Sequence, residues 1–96
     1  MVSFTVRMRF DPADREEVAG ILRHLTNASR QEPGCVSYIA HFVEGDDPGV
    51  VVIYEQYVDS AALDHHRATP HFKQYAIGGL FQKMLERQLE NLTAIC

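Results

Sequence analysis

Val50 to Tyr75 reads VVVIYEQYVDSAALDHHRATPHFKQY, and its punctuation sets the architecture of the chain. Val50 to about Val58 is dense in β-branched and aromatic residues and predicts a strand. Asp59 or Ser60 then caps a helix carrying Ala62, Leu63 and His66. Thr69-Pro70 is a second start signal, because proline tolerates the first helical position, and it restarts a helix through His71, Phe72 and Tyr75. One strand-to-helix crossover therefore gathers a carboxylate (Glu55), phenols (Tyr54, Tyr57) and imidazoles (His65, His66, His71).

On the N-terminal side, Glu44 to Gly49 (EGDDPG) is a turn by composition, so the preceding apolar run, Cys35 to Val43, pairs with Val50–Val58 as an antiparallel hairpin. Both faces of Cys35–Val43 are largely apolar and both are expected to be covered. Glu32-Pro33-Gly34 stops a helix that starts at Asp11-Pro12 and runs to about Gln31, with Val18, Ile21, Leu22, Leu25 and Ala28 on one face. Before it, Val2, Phe4, Val6, Met8 and Phe10 alternate with polar residues, the period of a half-buried strand.

On the C-terminal side, Gly78-Gly79 is expected to break the helix, and Leu80, Phe81, Met84 and Leu85 to form a short amphipathic segment ending near Glu86. Arg87 to Ile95 closes the chain as a strand with neither face strongly apolar, which suits an edge or an exchanged position. The order strand, helix, strand, strand, helices, strand is the split βαβ pattern of a ferredoxin-like α+β sandwich, with both helical layers on one side of a four-stranded antiparallel sheet. Residues 1–96 are one domain, and the helix-free face, expected to carry Val and Phe side chains, calls for cover by a second copy of the sheet.

A formal net charge of −4 with no basic stripe argues against nucleic acid. The longest apolar run, Val50 to Tyr54, falls far short of the roughly 20 residues that span a bilayer, and the N-terminus lacks a signal-peptide pattern, so a cytoplasmic protein with no membrane partner is expected. Cys35 and Cys96 have neither CxxC nor metal-finger spacing, and Cys35 reads as a small apolar residue.

Three motifs together resemble the antibiotic biosynthesis monooxygenase domain family: Glu32-Pro33-Gly34-Cys35 leading into Tyr38, Tyr54-Glu55-Gln56-Tyr57, and Ala62 to Phe72 (ALDHHRATPHF). The resemblance covers essentially the whole chain. It implies a dimeric α+β barrel of two ferredoxin-like protomers and a small-molecule partner. Similar proteins include cofactor-free monooxygenases of quinols and polyketide anthrones, isomerases of phosphorylated autoinducer sugars, and haem-degrading enzymes. The haem branch uses a Trp and a first-strand Asn that this chain lacks, and many relatives carry Trp where Tyr57 stands.

The expected activity is oxidation of a small electron-rich aromatic by molecular oxygen without a cofactor. Such a substrate reduces oxygen once it has lost a proton, so the protein must supply a base and exclude water. His66 and His71 match the family motif and are the base candidates. Glu55 lies mid-strand on the face of Val51, Ile53 and Tyr57, where a carboxylate needs a partner; pairing with His66 would raise the basicity of the ring. Tyr38, Tyr54, Tyr57 and Tyr75 are candidate donors to an oxyanion or peroxide, and Phe72 and Phe81 candidate walls. No metal is assigned, since HRATPH is no known ligand motif. Isomerisation of a phosphorylated keto-sugar, metabolite binding without turnover, and a structural Glu55–His66 pair are the alternatives.

Overall fold

The computed structural model describes residues 1–96. The elements are β1 (Val2–Arg9), a 3-10 turn (Pro12–Asp14), α1 (Arg15–Ser29), β2 (Cys35–Phe42), β3 (Val50–Tyr57), α2 (Ser60–Ala68), a π-helix (Phe72–Leu80) running into a last turn (Phe81–Lys83), and β4 (Glu86–Leu92). Two aspartates start the helices: the Ala13 amide donates to Asp11 Oδ1 at 2.9 Å and the Ala62 amide to Asp59 Oδ1 at 2.8 Å. Each side chain supplies an acceptor that the first helical turn lacks.

The strands form one antiparallel sheet in the order β2-β3-β1-β4, the ferredoxin-like arrangement of two interleaved βαβ units. Both helical layers lie on one side. Phe4, Val6 and Met8 of β1 and Val51 and Ile53 of β3 meet Val18, Leu22 and Leu25 of α1 and Ala76 and Leu80 of the π-helix in a single core. Burial of each large side chain is worth roughly 1.5–3 kcal/mol, which fixes the register because a one-residue slip would turn the whole row outward.

Several sequence expectations need correction. Helical structure begins as a 3-10 turn, and α1 ends at Ser29 rather than Gln31. Gly78-Gly79 does not break the helix. Both glycines lie within the π-helix, and a side chain added at Gly79 would sit 3.3 Å from Ile21 of α1, so glycine lets the two helices approach closely. The last helical turn stops at Lys83, and β4 stops at Leu92, short of Ile95. β4 is an edge strand, as its pattern suggests.

The helix-free face is more polar than expected. Alternation from the buried row places Ser3, Thr5, Arg7 and Arg9 of β1 there, with Val52, Tyr54 and Gln56 of β3 and Ile39 of β2, whereas Phe4, Phe10 and Phe42 belong to the helical side or its core. Ile39 is 43% exposed, so the outer face of β2 is not covered within the chain. No helix is long and apolar enough to cross a membrane.

Candidate functional site

The site is assembled by three pieces of chain that meet over one end of the sheet. Glu32, two residues before a glycine, lies in the turn between α1 and β2; its amide donates to Ser29 O at 3.1 Å and its carbonyl accepts from the Cys35 amide at 3.1 Å. Gly34 packs against Ala62 so closely that a Cβ there would collide with the Ala62 methyl, which brings the turn down onto α2. Thr69 sets the third piece: its hydroxyl donates to His66 O at 2.7 Å and accepts from the Phe72 amide at 3.2 Å, turning the chain so that His71 faces His66.

One carboxylate oxygen joins the two histidines. Glu32 Oε2 lies 2.8 Å from His66 Nδ1 and 2.6 Å from His71 Nε2. A carboxylate accepts, so each ring donates an N–H, and the His66 proton is thereby assigned to Nδ1. Its Nε2 is left with a lone pair, and that atom lies 3.6 Å from Glu55 Oε1. The Tyr57 hydroxyl donates to the same Glu55 oxygen at 2.6 Å. A continuous polar chain thus runs from His71 through Glu32, His66 and Glu55 to Tyr57.

The chain is buried among aromatic rings. His66 is 2% exposed, with the rings of Tyr57, Phe72 and Tyr38 centred 5.1, 5.2 and 5.9 Å away. Burial lowers the His66 pKa, and this outweighs the opposing hydrogen bond from Glu32. Burial pushes Glu55 up to about 7, against the Tyr57 hydrogen bond that favours its charge. Burial, reinforced by Glu55, raises Tyr57 and Tyr38 as well. The expected pairing is therefore corrected: the main partner of His66 is Glu32, Glu55 is a second neighbour at longer range, and the His66 pKa falls rather than rises.

A cavity of about 40 Å³ opens between the sheet and the helices beside this cluster, lined by Glu55, His66, Tyr38, Phe72, Phe81 and Arg67 among others. At roughly 10–15 Å³ for each water centre it has room for about three or four waters, so an aromatic ring enters only when side chains at its mouth turn aside. A larger groove of about 510 Å³ lies between α1 and β2, lined by Arg23, Thr26, Asn27, Arg30, His41 and apolar neighbours, and it holds no carboxylate. The small cavity brings a histidine and a carboxylate together.

Of the nine residues singled out in sequence, Glu55, His66, Tyr38, Phe72 and Phe81 line this cavity. Tyr57 and His71 reach it only through Glu55 and Glu32. Tyr54 pairs with Thr5 and points to the helix-free face, and Tyr75 stacks on His24 at 5.3 Å, so neither joins the cluster. The parity of β3 excludes Tyr54 once Glu55 is inside. Glu32 was missed, since its Pro33-Gly34 neighbours read only as a helix stop; its place in the same motif as Tyr38 was the available signal.

Comparison with known proteins agrees with this fold. The antibiotic biosynthesis monooxygenase family matches residues 1–76. The Mycobacterium tuberculosis protein Rv0793, named "Putative monooxygenase", is 34% identical over 74 residues, spanning 77% of this chain and 71% of that protein. Its solved structure superposes with a TM-score of 0.85 at 27% identity, covering 99% of this chain and 95% of that one. A crystal structure described as an antibiotic biosynthesis monooxygenase superposes with a TM-score of 0.89 at 30% identity over 100% of both chains. With the three motifs, the split βαβ sheet and a family match over most of its length, the chain belongs to the antibiotic biosynthesis monooxygenase family.

Proposed function

We propose that the protein is a cofactor-independent monooxygenase of a small electron-rich aromatic, of quinol, polyphenol or anthrone type, working as a cytoplasmic homodimer with His66 as its base. The observation that carries this is the 2.8 Å contact of His66 Nδ1 with Glu32, which leaves Nε2 unprotonated, 3.6 Å from Glu55, in a residue that lines the cavity. His66 Nε2 takes a proton from the acidic C–H or O–H of the substrate, and Glu32 stabilises the resulting imidazolium from its other side. The substrate anion then gives an electron to oxygen, the two radicals combine, and the peroxide breaks. One oxygen atom stays in the product as a carbonyl. The other leaves as water with the two hydrogens lost by the substrate, so no external reductant is consumed.

Proton transfer within one closed set of groups supports this assignment: protonated His66 returns its proton to the departing oxygen, and Tyr38, whose hydroxyl is held neutral by burial, offers a donor to the developing oxyanion. The test is oxygen uptake by the chelator-treated protein with a panel of quinols and anthrones. Uptake with water and ketone formed in equal amounts is expected; no uptake across the panel overturns the reading.

Arg67 and Arg87 in the cavity lining favour a second reading. Two guanidinium groups suit an anionic substituent, and the same base would then shift a proton between adjacent carbons of a phosphorylated keto-sugar. Deuterium exchange into such a sugar, without oxygen uptake, would select it.

A further inference from the structure

We propose that Glu32, His66 and His71 form a binding site for one divalent first-row transition ion of zinc type, and that filling it switches off the base proposed above. The inference rests on that reading for its consequence, but not for the site. The ligand atoms of the three residues all lie within 4.8 Å of one another. Donors each ~2.1 Å from a tetrahedral ion lie about 3.4 Å apart, so the site closes when Glu32 rotates from between the rings and His71 moves inward by about an ångström. His71 is the one free to do so: its side chain is 20% exposed, against 3% for His66.

Two further observations point to an ion. Glu32 Oε1 is buried without a hydrogen-bond partner, an acceptor that the hydrogen-bonded arrangement leaves unused. Behind His66, Glu55 Oε1 lies 3.6 Å from Nε2 and is itself held by the Tyr57 hydroxyl. A histidine that ligates through one nitrogen donates its other N–H to a carboxylate, and Glu55 stands where that acceptor belongs. Two imidazoles and one carboxylate leave a position for water, and their N/O character suits zinc, cobalt or iron(II) rather than calcium or magnesium.

The consequence follows from the ring. An ion on His66 Nδ1 moves the remaining ring proton to Nε2, where it points at Glu55. The Nε2 lone pair that the base needs is then gone.

The test uses the purified full chain and two probes, Zn²⁺ in competition with a chromophoric chelator and Co²⁺ followed by its visible absorption. One ion per chain is expected, with tetrahedral or five-coordinate cobalt bands. His71→Ala should weaken binding at least about 100-fold, and Glu55→Gln about 10-fold, as for loss of a carboxylate behind a ligand. His65→Ala on the same helix should bind as the parent does. Circular dichroism checks folding, and His71→Ala keeps the test valid if a buried variant unfolds. Equal binding by the parent and His71→Ala, or no binding below millimolar zinc, overturns the site. Zinc binding without oxygen uptake by the chelator-treated protein would leave the site standing and overturn the oxygenase reading; uptake without zinc binding would do the reverse.

Discussion

The slab between sheet and helices has two ends of opposite chemistry. At one, Met8, Phe10, Val18 and Val51 pack with no polar side chain among them, each at most 2% exposed. At the other, Glu32, Glu55, His66 and Tyr57 are buried almost as deeply, with His71 half-buried beside them. The apolar end explains why the chain folds. The polar end is costly by the same measure, since a buried carboxylate must recover several kcal/mol of lost solvation through its partners. Hydrogen bonds from both imidazoles to Glu32 and from Tyr57 to Glu55 recover much of this, yet Glu32 Oε1 stays unpaired. An apolar cluster of the same volume would serve the fold as well, so the polar end is the candidate place for chemistry.

The contrast can be broken from either side. Phe10→Ala should destabilise the fold by about 3–5 kcal/mol in urea unfolding, the cost of an emptied core site, while turnover by the folded fraction changes little. His66→Ala should do the opposite, lowering turnover about 1,000-fold in oxygen-uptake assays while the circular dichroism spectrum persists. A His66→Ala protein that keeps its activity would assign the cluster to structure, with His71 the remaining base.

A pH effect sharpens the same comparison. The carboxyl of Glu55 has a folded-state pKa of about 7 against an ordinary 4.5. The folded protein therefore binds its proton more tightly than the unfolded chain does. The associated stability is fully present below about pH 4.5 and is lost as pH rises through about 7, by at most about 3 kcal/mol. Unfolding curves of the parent and Glu55→Gln between pH 4.5 and 8 should diverge with this sign, and parallel curves would mean that the carboxyl is not buried. The smallest effect belongs to His71→Ala, which removes one of two donors to Glu32: a loss of about 1–2 kcal/mol and a fall of only a few-fold in turnover are expected.

The apolar end was legible in the sequence because its signals are local. Period-two alternation in Val2–Phe10 and the three- and four-residue spacing of Val18, Leu22 and Leu25 report which side of an element is buried, and Asp59 and Thr69-Pro70 mark the helix starts. The polar end was only half legible. Glu55 and His66 could be singled out because a carboxylate on an apolar row and a histidine in a motif are anomalies. Their partner Glu32 is 34 positions from His66, and only the fold joins them. Burial, not the missing partner, reversed the sign of the His66 shift, and its depth belongs to the packed structure and not to any stretch of sequence. At Gly78-Gly79 the local signal for a break was overruled by the need to pack against Ile21.

Glu32 fixes the proton of His66 on Nδ1 and leaves Nε2 unprotonated beside Glu55, the atom proposed as the base. Long-range ¹H–¹⁵N correlation spectra of the imidazole rings in metal-free protein at pH 7.5 test it without any substrate. His66 should show a protonated Nδ1 and an unprotonated Nε2, and Glu32→Gln should disturb this pattern while His65 is unaffected. A His66 ring protonated at Nε2 in the metal-free parent would contradict this, because Nε2 would then be a donor where the mechanism needs a base.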